Sequence, residues 1–267
     1  MNDFLSNGFV AGYAFAKGVI DKTVNDTSVQ LLCTGQEFNA KIKQLVNTSA
    51  NYLTIDTSIY GIVKTEKEPS DNYIEIDTVE GIPIKAYLTT EQITTNDGAV
   101  LTDKYVVNLY TTASKIYLPS DSSYMFYGFK KIWSLDVSFL DASSAINCAY
   151  MFYCLGYNGR DDVDGGWAFS NLILGDSFNT SNVTNMDYML YRIGCDWGDN
   201  PNIGYINLGA LSTTNLTSYT NMFGHGAYWD YSWLSYIYAN NQEALDLAQI
   251  FIDSNNLVIK SSLVLNS

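Results

Sequence analysis

Phe4, Leu5, Phe9, Tyr13, Ala16 and Ile20 read as roughly one side of a short N-terminal helix, and apolar residues fall at helical spacing in two further places. In Gly35-Gln-Glu-Phe-Asn-Ala-Lys-Ile-Lys-Gln-Leu-Val46 they are Phe38, Ile42, Leu45 and Val46; in residues 239–252 they are Ala244, Leu247, Ala248, Phe251 and Ile252. That period predicts two amphipathic helices, the second a terminal cap. Between them the pattern shortens to alternation. Tyr52–Ile59, Tyr73–Val79, Ile82–Leu88 and Tyr105–Tyr110 read as strands, with Lys67-Glu-Pro-Ser-Asp-Asn72 and Thr95-Asn-Asp-Gly98 as the turns between them. Residues 30–113 therefore read as a small domain of one helix and several antiparallel strands. Asn256–Lys260 reads as a closing strand.

From about residue 114 the pattern repeats. An aromatic or Asn residue precedes Met and then Phe or Leu at Met125, Met151, Met189 and Met222, so successive copies lie 26, 38 and 33 residues apart. Counting back from Met aligns Asp141–Met151 with Asn179–Met189 and Ser212–Met222. Ala145, Val183 and Leu216 then fall together, as do Cys148, Met186 and Tyr219. Apolar positions at every third residue predict a short helical turn in each unit. The β-like runs Ile132–Val137, Leu172–Leu174 and Tyr205–Leu208 precede those turns. A unit of strand plus helical turn cannot bury its apolar face alone and needs stacked neighbours.

The phrase Asn179-Thr-Ser-Asn-Val-Thr-Asn-Met-Asp-Tyr-Met-Leu190 resembles the repeat signature of BspA-type leucine-rich repeat proteins. The resemblance covers about residues 114–224, and four copies share its phase. It implies an α+β fold: a short leucine-rich-repeat solenoid, strand plus helical turn per coil, after the small N-terminal α+β domain. The expected organisation is an N-terminal helical attachment segment (1–29), the α+β domain (30–113), repeats with loop insertions (114–238) and a C-terminal cap (239–267). The family occurs among bacterial surface adhesins and phage structural proteins, so the resemblance implies binding and no catalytic residues.

Composition narrows the partners. Acidic residues (28) outnumber basic ones (14), and a net charge of −14 disfavours nucleic acid and anionic membrane surfaces. Only 16% of residues are charged, while the chain holds 21 Tyr, 12 Phe and 5 Trp. The surface must then be neutral and rich in hydroxyls, amides and aromatic rings. Four cysteines without metal-ligand spacing read as free, mostly buried thiols, with Cys148 in the core.

Candidate chemistry concentrates in the insertions between units. Asp161, Asp162 and Asp164 cluster before two glycines, an arrangement with oxygen ligands for Ca²⁺ but without the closing Glu of a twelve-residue calcium loop. No other cofactor is indicated. The single His, His225, lacks an orienting partner, and Asp136, Asp141 and Asp176 offer the carboxylates that a glycan-acting enzyme would need. Tyr157, Trp167, Trp197, Tyr228 and Trp229 are the candidate ligand-binding residues, because large rings with a polar tip suit binding surfaces. Tyr236 and Tyr238 read as core and cap residues.

The N-terminal run has an apolar stretch but carries Asp3 and no Lys or Arg before it, unlike an export signal. No segment is apolar and long enough for membrane insertion. The sequence thus leads to a non-enzymatic structural and binding protein, placed in a phage tail, baseplate or head fibre. Its expected partners are other virion proteins at the N-terminal segment, copies of itself, and a host cell-surface glycan or protein. A bacterial cell-surface adhesin is the alternative placement, and a glycan-acting enzyme the alternative activity.

Overall fold

A computed structural model describes residues 27–94, 100–157, 169–196, 204–224, 231–232, 234–253 and 262–265. The described chain opens with β1 (Ser28–Gln30) and helix α1 (Gly35–Gln44), followed by β2 (Ile59–Thr65), β3 (Tyr73–Ile76), β4 (Ile84–Thr94) and β5 (Val100–Tyr110). Then come β6 (Lys115–Tyr117), β7 (Ser134–Asp136), β8 (Leu140–Asp141), β9 (Asn171–Ile173), β10 (Cys195–Asp196), β11 (Gly204–Asn207) and β12 (Tyr231–Ser232). The last elements are β13 (Leu234–Ala239), helix α2 (Gln242–Asp253) and β14 (Ser262–Leu265).

The N-terminal strands form a four-stranded sheet in the order β2-β5-β4-β3, antiparallel except for the β2–β5 pair. β1 leaves this region and joins β6 and β8 in a parallel sheet. A third sheet runs β14-β13-β11-β9-β7, all parallel. In its middle register Leu135, Leu172, Ile206 and Ile237 are fully buried, and Leu263 packs against them. One hydrophobic cluster continues from Val29 and Ile42 through the Met residues to Phe251.

The expected helical turn in each repeat is absent, and the strand-plus-helix solenoid is thereby corrected. Among the described residues α1 and α2 are the only helices, and the fold is built from parallel and mixed sheets. The physical cause lies in where the backbone amides go. The N–H groups of Tyr124, Phe126 and Gly128 donate to Ala149, Met151 and Tyr153 in the following unit at 2.8–3.1 Å. Those of Cys148, Tyr150, Phe152 and Cys154 donate in turn to Asn185, Asp187, Met189 and Tyr191, and those of Met186, Tyr188, Leu190 and Arg192 to Ser218, Thr220, Met222 and Gly224. Alternate amides are spent on the next coil, so no i to i−4 ladder can form.

Backbone handedness reinforces this. The residue before each Met is left-handed, with φ of 62° at Tyr124, 58° at Tyr150, 55° at Tyr188 and 49° at Asn221. A side-chain-bearing residue there interrupts any right-handed helix. The apolar positions at every third residue point inward in the first two aligned units, where Ala145, Val183, Cys148, Met186, Met151 and Met189 are fully buried; in the third only Met222 is, while Leu216 is half-buried and Tyr219 is exposed. Three-residue spacing was the right sign of an inward face, but a succession of tight turns produces it here.

The polar half of the repeat phrase builds those turns. Asn147 Oδ1 accepts from the N–H of Ala149 (3.0 Å) and Asn185 Oδ1 from that of Asp187 (2.8 Å). Asp141 and Asn179 do the same for Ser143 and Ser181 at the preceding corner, both at 2.9 Å. Asn182 and Asn215 donate across coils to the carbonyls of Ser143 and Ser181. These are Asx-type contacts that fix turns locally.

Each end of the stack carries a helix. Thr34 caps α1 in a reciprocal pair with Glu37: the Thr34 N–H donates to Glu37 Oε2 (2.8 Å) and the Glu37 N–H to Thr34 Oγ1 (3.3 Å). Positions four apart on α1 then face the first coil. The Gly35 N–H donates to the carbonyl of Asp121 (2.8 Å). Asn39 Nδ2 donates to those of Tyr124, Met125 and Tyr127, and Lys43 Nζ to that of Tyr127 (2.8 Å). The carbonyls of Asp121, Met125 and Tyr127 stand where later coils accept from the coil before them, and here α1 supplies the donors, while the Tyr124 carbonyl also accepts the Tyr127 N–H. Gly35 is required by this approach, because a Cβ there would lie 2.4 Å from the carbonyl oxygen of Ser123. At the other end α2 lays Ala244, Leu247, Ala248 and Phe251 over the core, with the Phe251 ring 5.7 Å from that of Phe223.

Candidate functional site

The chain carries three aromatic groupings outside its apolar core, and their geometry separates scaffold from available surface. The first is a pair of columns along the repeats. Tyr124, Tyr150 and Tyr188 stack at 4.9 Å between centroids, within 9° of parallel. Tyr127, Tyr153 and Tyr191 stack at 5.1 and 5.3 Å. Tyr52 closes the near end of the first column edge-on at 5.2 Å. Each interior ring has both faces covered by its neighbours, and burial pushes the Tyr153 phenol up to about 12. Such columns hold coils in register and leave the interior rings no open face for a ligand.

The second grouping lies where the insertions leave the coils. Tyr157 is half-buried, with Lys130 Nζ 5.7 Å and Arg192 Cζ 5.4 Å from its ring centroid. The cations come from the coils before and after, so this ring too is engaged by the scaffold. Of the ligand-binding and calcium candidates singled out from sequence, Tyr157 alone falls within the described residues. Trp167, Trp197, Tyr228, Trp229, Asp161, Asp162, Asp164 and His225 lie outside them. The described residues that flank the insertions are brought together, since β10 pairs antiparallel with β12 through Cys195–Ser232 and Asp196–Tyr231. Among the described residues, no group of three or more His, Cys, Asp or Glu could hold a metal ion.

The third grouping was missed in the sequence. On the five-stranded sheet, Tyr205 is in register with Asn171 and Tyr236, and Asn207 with Ile173 and Tyr238. All of these alternate with the buried register of Leu172, Ile206 and Ile237, so they project from the outer face. Tyr236 is 39% exposed, and Tyr205 and Tyr238 are half-buried. Tyr205 meets Tyr238 edge-on at 5.6 Å, and Tyr238 lies 5.9 Å from Tyr236. A register shift between β11 and β13 places Tyr236, not Ser235, opposite Tyr205. Bulges of this kind re-aim side chains.

Polar groups surround the three rings. Ser134 Oγ donates to Asn171 Oδ1, and Asn171 also hydrogen-bonds the Tyr205 side chain. Burial, followed by the neighbouring Tyr238 and Asp136, holds the Tyr205 phenol above its ordinary value. Burial and Tyr236 do the same for Tyr238. These phenols stay protonated at neutral pH and act as hydrogen-bond donors and acceptors. The face therefore offers rings, hydroxyls and amides, with one carboxylate at its margin.

The assignment of Tyr236 and Tyr238 to the core is thus corrected. Leu234-Ser-Tyr-Ile-Tyr-Ala239 alternates, and that alternation was the available sign of a strand with its tyrosines outward. Among the described residues no helix is long and apolar enough to cross a membrane. Comparison with known proteins finds no matching family model, no matching curated protein and no matching solved structure.

Proposed function

We propose that the chain is a non-enzymatic attachment protein of a phage particle. Residues 1–29 join it to other virion proteins, and the outer face of the five-stranded sheet meets the host surface. The observation that carries the binding reading is the cluster of Tyr205, Tyr236 and Tyr238, turned outward on a sheet whose opposite face is buried at Leu172, Ile206 and Ile237. Rings fixed by backbone pairing bind at small entropic cost. The placement on a particle is supported by the resemblance of the repeat phrase around Asn179–Leu190 to BspA-type proteins.

The experiment has two readouts. Mass spectrometry of purified particles is expected to find the chain. The purified chain is expected to compete with particles for adsorption to host cells, and to compete poorly once Tyr236 and Tyr238 are both replaced by Ala. Absence from particles together with no competition refutes the proposal.

A further inference from the structure

Resting on the attachment reading of the same face, we infer that its ligand is an uncharged glycan chain lying across the strands along the row of Asn171, Tyr205 and Tyr236, with Tyr238 in the next row bracing both tyrosine rings. Spacing is the first argument. Adjacent strands lie about 4.8 Å apart, so the outward row Asn171–Tyr205–Tyr236 spans roughly 10 Å across β9, β11 and β13. One strand step is close to the length that a single pyranose adds to an extended chain. A linear glycan running along the row therefore meets one side chain per sugar, in step over two or three units.

Charge is the second argument. Among the described residues of the five strands, no outward position holds Lys or Arg, and Asp136 holds a carboxylate. An acidic polysaccharide would find no counter-charge there and would be repelled at one margin. Chemistry is the third. Tyrosine rings accept the apolar faces of sugars, while Asn171, Asn207 and Ser134 supply amides and a hydroxyl for ring hydroxyls.

Calorimetric titration of the full chain tests the inference. The probes are β-1,4-linked hexasaccharides of glucose, N-acetylglucosamine, xylose and mannose, with hexagalacturonic acid as the charged control. At least one neutral probe is expected to bind, the acid to bind at least tenfold more weakly, and Tyr236→Ala and Tyr238→Ala each to weaken binding at least tenfold without moving the melting temperature by more than a few degrees. No binding by any neutral probe, binding that both variants retain, or preference for the acid overturns it. A cell-binding measurement separates the two readings. Adhesion that survives periodate treatment of the cells and is lost after protease treatment overturns the glycan inference and leaves the attachment reading standing. Binding of a neutral probe by a chain that does not adhere to cells upholds the glycan inference and refutes the attachment reading.

Discussion

The side-chain amide nitrogen of Asn39 lies 2.9 Å from the carbonyl oxygen of Tyr124, and it also reaches the carbonyls of Met125 and Tyr127. One buried side chain thus serves three acceptors on the open edge of the first coil. Replacing Asn39 by Leu leaves the buried Met125 carbonyl without this donor, while the Tyr124 carbonyl keeps the Tyr127 N–H at 3.0 Å and the Tyr127 carbonyl keeps Lys43. Each orphaned acceptor costs about 1–3 kcal/mol. Asn39→Leu is expected to lower unfolding stability by about 1–3 kcal/mol, read from the urea midpoint.

Gly35 and Gly224 make a contrasting pair. A Cβ on Gly35 would press on backbone, the carbonyls of Ser122 and Ser123, which cannot yield without moving the coil. A Cβ on Gly224 would sit 2.6 Å from the ring of Tyr191, which can rotate at the expense of its stack on Tyr153. Overpacking costs about 1–3 kcal/mol, and the rigid neighbour gives the higher value. Gly35→Ala is expected to lower the melting temperature clearly more than Gly224→Ala.

Lys43 is fully buried, donates to the carbonyls of Tyr52 and Tyr127, and lies 5.0 Å from the Phe129 ring centroid. Burial, partly offset by Asp56, brings its amine down to about 7. The unfolded chain keeps that proton up to about 10.5, so this group makes stability rise with pH above 7, by at most about 1.4 kcal/mol per pH unit. Cys33 and Cys148 work the other way. Burial raises their thiols to about 11 and about 12, so their contribution is complete below an ordinary value of 9.0 and falls as pH rises beyond it. Urea midpoints should climb from pH 7 to about 9 and then decline. Lys43→Met should remove the climb and leave the decline; an unchanged climb would show that the burial of Lys43 is not its source.

Tyr150 combines a left-handed φ of 58° with stacking on both Tyr124 and Tyr188. Asn tolerates that backbone, as Asn221 shows at the equivalent place with φ 49°, but it cannot stack. Each aromatic pair contributes about 0.5–1.5 kcal/mol beyond burial. Tyr150→Asn is therefore expected to cost about 1–3 kcal/mol while leaving the circular dichroism spectrum of the folded protein intact.

The legible parts of this molecule are those in which a local pattern and its tertiary use coincide. α1 and α2 were visible because an apolar face at helical spacing is also what docks them: Phe38 and Ile42 are buried, as are Ala244 and Leu247. The repeat phase was visible because Met125, Met151, Met189 and Met222 all point inward. The helical turns were misread because spacing reports which side chains face inward and is silent on where the amides donate. Only the neighbouring coil, 26 or more residues away, reveals that. The tyrosines of β13 were misread for a related reason. Ile237 between them marks the inward side, but the parallel partner that turns Tyr236 and Tyr238 outward is Tyr205, across an insertion and a bulge.

The coils bond in both directions, forward from Tyr124, Phe126 and Gly128 to the following coil and back from Ile146, Thr184 and Thr217 to the preceding one, and the stack has two unlike ends, as a filament does. α1 blocks one of those ends with Gly35, Asn39 and Lys43. A second copy therefore has no open carbonyl edge on which to add its own last coil, and runaway end-to-end polymerisation through this edge is closed. Extra coils can enter such a stack only between existing ones. Lengthening by duplication of an interior unit keeps both terminators in place and extends the outer face by one strand at a time.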